Sequence, residues 1–403
     1  MDAAKILVIF FFMLVIIFKF KKSLAVAFAL GCLAVAVAYG FEPGFAAKLA
    51  VQSAFSKSTL AIVTIYYTVT FLQKMMEIKG HIALAEGALL GITNSKRVSA
   101  AIAPMCAGLM PTPGAVIVGG GIVESIYKDN ISNEDKNFIT SYYRHIPESF
   151  VPTFGSVILA CELAQVSTGE FVLYMLPLAF LLIFLGHVMF MRKLPWETGL
   201  PGKDDKIRDM KNLLLSLWPF GIIISIVLLV RIDVYIIATC VIVVYFFINN
   251  FKFKDIKPFF KESFESKIIL STIFILIFKD YILSTEAVQS LSAFIAELPL
   301  PDYIVFSIIF FIGSVIVGST AIIAIGLPLA YAAIPDGGVP LLVLLATMAF
   351  AAMQISISHI CLFLSSTFFK VEVTSLVKRT VPVIMVFSFL LVGYYLLLVA
   401  LVG

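Results

Sequence analysis

Gly108-Leu109-Met110-Pro111-Thr112-Pro113-Gly114 interrupts an apolar stretch over 98–127, and its reading decides how the chain folds. Two prolines bracketing a threonine stop one helix and start another. The stretch therefore reads as two half-helices meeting at a polar tip, a re-entrant hairpin that enters and leaves on one side. A second stretch, 303–333, turns in the same way at Gly318-Ser319-Thr320. Irregular backbone at membrane depth persists only where it is buried in protein or lines a wet cavity. The alternative for either stretch is a kinked span whose glycines permit close packing.

Around the hairpins the composition leaves one class. The 403 residues are 61% hydrophobic and 13% charged, with mean hydropathy +1.05. A soluble domain carries about a quarter charged residues, so this is an all-α polytopic membrane protein. Ten spans are expected at 5–20, 24–40, 58–74, 137–166, 170–190, 213–230, 233–249, 268–283, 339–368 and 381–402, each near the length a bilayer requires. Lys5 to Phe20 resembles a signal-peptide core but lacks a small-residue cleavage site and runs into Lys19, Lys21 and Lys22, so it reads as a retained span. A net charge of +4 spread over short loops gives no sign of a nucleic-acid partner. Cys32, Cys106, Cys161, Cys240 and Cys361 have no metal-ligand spacing and read as small buried side chains. No phosphate loop, HExxH or GxSxG occurs, so an enzyme is not expected, nor is a metal or cofactor.

Charge in the loops gives the orientation. With the 19–22 loop in the cytoplasm and both hairpins returning to their own side, 23 of the 29 Lys and Arg residues fall in cytoplasmic segments. Segment 284–302, placed outside, has no basic residue but carries Glu286, Glu297 and Asp302. The positive-inside rule then puts both termini outside. If either hairpin were a full span, every later loop would flip and the bias would be lost.

The polar segment Arg192 to Lys211 divides the chain into 1–191 and 212–403, with 192–211 as a cytoplasmic linker. Each half holds three spans, a short amphipathic stretch (77–92; 284–298), a hairpin, a long span and a last span. Five spans per half is an odd number, so the second half is inverted relative to the first. Inverted repeats with broken helices at mid-membrane mark secondary transporters.

Each long span has a polar midpoint, at Arg144-His145-Ile146-Pro147-Glu148-Ser149 and at Gln354-Ile355-Ser356-Ile357-Ser358-His359. An ionisable residue at that depth is a functional candidate by default. Arg144 either snorkels to the interface as an anchor or pairs with an anionic substrate, for which guanidinium geometry is suited. Glu148, four residues on, is either its permanent partner or a coupling group. His145 and His359 are either satisfied buried imidazoles or carriers of a coupling proton, while His81 and His187 read as structural. His145-x-x-Glu148 alone is a weak metal signal. The expected substrate-binding residues are Pro111, Thr112, Pro113, Gly114, Arg144, Ser319, Thr320, Ser356 and Ser358, with His145, Glu148 and His359 for the coupling ion.

At these residues the chain resembles a known family. Gly108 to Ala115 is similar to a G-L-L-P-M-P-G-G motif, Ser141 to His145 with Glu148 to N-Y-W-F-R-H-x-x-E, and Ser356, His359 and Cys361 to S-P-x-H-L-C. These motifs belong to the prokaryotic integral membrane family catalogued as domain of unknown function 401. The chain departs from them at Thr112, Ala115, Ile146-Pro147 and Ile357, the last standing where the family has proline. The resemblance implies membership of the ion-transporter superfamily, beside gluconate permeases, divalent-anion symporters and sodium/proton antiporters. It further implies a moving transport domain on a separate scaffold, elevator motion and commonly a homodimer.

The combined expectation is a secondary active transporter in the inner membrane of a prokaryote. It would move a small organic anion coupled to H+ or Na+. A cation/proton antiporter is the rival, with Glu148, Glu162 and Glu124 as its available carboxylates; a channel or membrane enzyme has no supporting motif. The orientation predicts that a Gly202→Cys variant is labelled by an impermeant thiol reagent only after cells are opened. Labelling in intact cells would overturn it.

Overall fold

The computed structural model describes residues 2–20, 22–81, 84, 85, 88, 95–109, 115–194, 206–230, 232–285, 299–356 and 359–402. Over these residues the protein is helical. The chain opens with α1 (Asp2–Phe18), α2 (Leu24–Ala38), α3 (Pro43–Ala54) and α4 (Lys57–Ile78). Next come α5 (Lys96–Ala107), α6 (Ala115–Tyr127), α7 (Asn133–His145), α8 (Gly155–Ala164) and α9 (Thr168–Met189). The second half begins with α10 (Lys206–Val230), α11 (Val234–Ile248), two single turns α12 (Phe253–Ile256) and α13 (Phe259–Glu262), and α14 (Ser266–Leu283). It closes with α15 (Asp302–Val317), α16 (Ser319–Ala333), α17 (Gly338–Met353), α18 (Ile360–Phe368) and α19 (Val373–Val402). Hydroxyls of Ser23, Ser56, Ser95, Ser132 and Ser167 cap α2, α4, α5, α7 and α9, each accepting a backbone N–H three residues on.

Four helical segments are long and apolar enough to cross a membrane: Thr168–Lys193, Ile207–Val230, Pro335–Met353 and Val373–Val402. Three differences from the expected spans have local causes. Helix α3 was not anticipated; Pro43 at its first position starts it, and its mixed composition hides it from a hydropathy reading. Helices α10 and α19 begin seven or eight residues before the expected 213 and 381, because polar turns extend them beyond the apolar core. The expected spans 137–166 and 339–368 are each two helices, α7 with α8 and α17 with α18. Half of the amphipathic stretch 77–92, nearly all of 284–298 and all of linker residues 195–205 lie outside the described residues.

Helices α5 and α6 pack on each other, as do α15 and α16, so in each broken stretch the two arms lie together. Helix α7 packs against both arms of the first hairpin and α17 against both arms of the second. The halves also exchange partners: α6 lies on α18 and α16 on α8, while α2 lies on α14 and α4 on α11. At the centre, every residue from Val339 to Met353 is buried. An apolar helix buried on all sides belongs to the interior of a bundle. The outer faces expose large apolar residues such as Phe180, Leu229, Phe247 and Phe389. Cys32, Cys161 and Cys361 are buried as expected, but Cys106 is only partly so and Cys240 is exposed on an outward face of α11.

A single residue, Gly318, turns the second hairpin. Its φ of +86° and ψ of 157° lie in a region that is essentially glycine-only. Its N–H donates to the Ser314 carbonyl at 2.9 Å, closing α15. Nothing lies within 4 Å of where a Cβ would stand, so the requirement is conformational and not steric. Gly318→Ala is expected to cost about 1–3 kcal/mol, read as a lowered unfolding temperature of the purified protein. An unchanged temperature would show that the turn tolerates another backbone conformation.

Candidate functional site

The two breaks are built differently. Helix α7 stops at His145 because Pro147 has no N–H to continue it; Pro147–Ser149 forms one 3-10 turn before α8 starts at Gly155. Helix α17 stops without a proline. The N–H groups of Gln354, Ile355 and Ser356 each bond to the carbonyl three residues back, at 3.2, 3.1 and 3.0 Å, and this tightening ends the helix. Ile357 in place of proline therefore leaves the break in place.

The broken helices lie side by side and antiparallel. The Asn137 amide donates to Ser366 Oγ at 2.9 Å and accepts from the Ser365 hydroxyl. Seven or eight residues along each helix, His145 Nε2 meets His359 Nε2 at 3.0 Å. The residues expected from the two halves thus converge. His145 Nδ1 lies 2.5 Å from the Ser141 carbonyl. A carbonyl only accepts, so Nδ1 carries the hydrogen, and Nε2 of the neutral ring is left as a lone pair facing His359. Cys361 completes a group in which one nitrogen of each histidine and the sulfur lie within 4.8 Å of one another. This is the one constellation among the described residues with metal-binding composition and spacing.

Arg144 is 2% exposed and forms an ion pair with Glu148, which is 14% exposed. Snorkelling to an interface is therefore excluded. Gly108, at the end of α5, lies against this turn so closely that a Cβ would stand 2.2 Å from the Arg144 carbonyl oxygen. Any side chain there would push the first hairpin off the break. Lys136 is also buried, holding Glu124 at 3.0 Å.

A cavity of about 1070 Å³ adjoins this crossing. Arg144, Glu148, His359 and Cys361 form part of its wall. The first turns of four helices line it as well: Ala115 of α6, Gly155 and Ser156 of α8, Thr320 of α16, and Ile360 of α18. Helix starts present free N–H groups and the positive end of the helix dipole. Opposite stand Tyr66, Val69, Thr272 and Ile275 from α4 and α14, and the cavity extends to Lys74, Glu77, Glu265 and Lys267.

The other expected residues divide. Thr320 lines the cavity, whereas Ser319 donates to Met353 Sδ at 3.1 Å and Ser356 to the Val315 carbonyl at 2.7 Å. Those two hydroxyls tie elements together at the break. Pro111, Thr112, Pro113, Gly114 and Ser358 lie outside the described residues. His81 accepts or donates at Tyr245 Oη, 2.8 Å away, in keeping with a structural role; burial and Lys79 lower its pKa. Sequence reading missed Thr153 in the first break. The residue lines the cavity, and its buried hydroxyl oxygen has no hydrogen-bond partner among the described residues.

Residues 3–400 match the family model described as protein of unknown function, DUF401; the chain belongs to that family. No protein of curated function matches it. Among solved structures it is similar to the Alcanivorax borkumensis YdaH transporter, described as having an unusual topology. The TM-score is 0.66 at 12% identity, over 94% of this chain and 98% of that one. The likeness establishes that the two chains share a fold.

The Arg144–Glu148 pair makes a stability prediction that needs no substrate. Removing one partner of a buried pair leaves the other charge uncompensated, at a cost of about 3–5 kcal/mol when burial is complete. Glu148→Gln should lower the unfolding temperature clearly, and the double variant Arg144→Gln/Glu148→Gln should recover most of the loss. A double variant no more stable than Glu148→Gln would show that the pair is not what holds the guanidinium.

Proposed function

We propose that this protein is a secondary active transporter that moves a small organic anion, a carboxylate, across the inner membrane of a prokaryote, coupled to H+ or Na+. One observation carries the reading: Arg144 and the starts of four helices line a single cavity. Guanidinium and free backbone N–H groups are the donors that a carboxylate requires. Broken helices whose half-helix starts face an anionic substrate are how such transporters build a mid-membrane site.

The exchange of partners between the halves supports an inverted repeat of 1–191 and 212–403. Helix α6 on α18 answers α16 on α8, and α2 on α14 answers α4 on α11. In this reading 98–166 and 303–368 form the transport domain, and the remaining spans form the scaffold and a dimer interface for elevator motion. With the lysine-rich connectors in the cytoplasm and both termini outside, the part of the cavity lined by Lys74 and Lys267 lies toward the cytoplasm in this reading. The cation/proton antiporter is the weaker reading. It needs a carboxylate at depth with no fixed cation beside it, whereas Glu148 pairs with Arg144 and Glu124 with Lys136.

The test has two stages. A thermal-shift screen of the purified protein against mono- and dicarboxylates should find an anion that raises the unfolding temperature, since a ligand bound only to the folded form stabilises it. Arg144→Lys should lose that shift, because a point charge lacks bidentate geometry. In proteoliposomes the same anion should accumulate under an imposed pH or sodium gradient, at least tenfold more slowly for Arg144→Lys. Equal binding by Arg144→Lys would overturn the assignment of the anion site. Accumulation under the sodium gradient alone would assign coupling to Na+, held by hydroxyls and carbonyls at the breaks.

A further inference from the structure

We propose that His145, His359 and Cys361 form a binding site for a thiophilic divalent cation of the Zn2+ class. The site stands on its own geometry and does not rest on the transport reading. Two residues come from the start of α18, where His359 is the extended residue that caps the helix and Cys361 sits in its first turn. The third, His145, ends α7, 214 positions away in sequence.

The distances suit the ion. A tetrahedral Zn2+ with Zn–N of about 2.0–2.1 Å and Zn–S of about 2.3 Å holds its ligand atoms roughly 3.3–3.6 Å apart. The two imidazole Nε2 atoms are already 3.0 Å apart, and the sulfur lies within 4.8 Å of one nitrogen of each ring. Binding thus needs the imidazoles to part slightly and the sulfur to approach by about 1 Å, a side-chain adjustment. Two imidazoles and one thiolate form a borderline-soft set, which selects Zn2+ over Mg2+ or Ca2+.

The surroundings match as well. The Ser141 carbonyl fixes Nδ1 of His145 as the protonated nitrogen and turns the Nε2 lone pair toward the other ligands, the usual outer-shell arrangement of a metal-bound histidine. His359 and Cys361 both line the cavity, which gives the ion an entry path and leaves the fourth position for water or an anion. Arg144 opposes a cation here. Against it stand the Cys361 thiolate and the Glu148 carboxylate, so the loaded site carries one net positive charge, which a single bound carboxylate would cancel.

An imidazole–imidazole hydrogen bond beside a buried thiol accounts for the same coordinates without any ion, and a titration separates the two. Purified full-length protein titrated with Co2+ should develop the intense visible bands of a tetrahedral ion and a thiolate-to-cobalt charge-transfer band, saturating at one equivalent and displaced by Zn2+. Cys361→Ser should abolish the charge-transfer band, Cys106→Ser should retain it, and His359→Gln should weaken binding at least about tenfold. X-ray absorption of the zinc-loaded wild type gives an answer that depends on no variant: a sulfur at about 2.3 Å beside nitrogens at about 2.0–2.1 Å. Absence of a thiolate band, its survival in Cys361→Ser, or a first shell without sulfur would overturn the proposal.

Discussion

A guanidinium buried to 2% exposure among apolar helices has to be neutralised where it sits. Glu148 does this from the 3-10 turn just past the end of α7, so the pair is formed across the break itself. Break and charge therefore stabilise each other. Without Pro147 the helix would run on; without the ion pair the buried turn would enclose an uncompensated cation. The close approach of Gly108 to the Arg144 carbonyl fixes the first hairpin against the same turn, and the histidine pair fixes the second broken helix. Hairpin, break and crossing are thus positioned from one residue pair.

Much of this was legible in the sequence because membrane depth is unforgiving. Polar residues at Arg144–Glu148 and Gln354–His359 could not stand in an uninterrupted apolar helix without a reason, and both places are helix ends. Gly318 and its following hydroxyls likewise marked a turn. What was not legible has separate physical causes. Sequence spacing detects neighbours within one segment, so the two histidines that lie beside the buried Cys361 could not be read from it. Thr153 was passed over because a threonine near a proline is ordinary until its neighbours are known. Helix α3 was missed because Pro43, Lys48 and Gln52 dilute a short apolar run. The partners of Ser319 and Ser356 were not legible either: a hydroxyl in an apolar interior bonds to the nearest acceptor, here a methionine sulfur and a carbonyl.

The contrast between α17 and α19 shows how the bundle divides its apolar surface. Both are strongly apolar, yet α17 is buried along its length while α19 exposes Phe389, Leu396, Leu397 and Leu401. Hydropathy cannot separate the two. What separates them is the break after Met353, which places α17 against both arms of the second hairpin and against α8. A helix enclosed in that way can move only together with its neighbours.

On the transport reading proposed above, the ion pair also bears on how a carrier runs when it has nothing to carry. A bare arginine at the crossing would make the unladen form costly to move through a low-dielectric interior, and the protein would be confined to swapping one anion for another. With Glu148 as an on-board counter-ion, the unladen crossing is electrically balanced. The return stroke then needs no passenger, and the solute can build up on one side of the membrane.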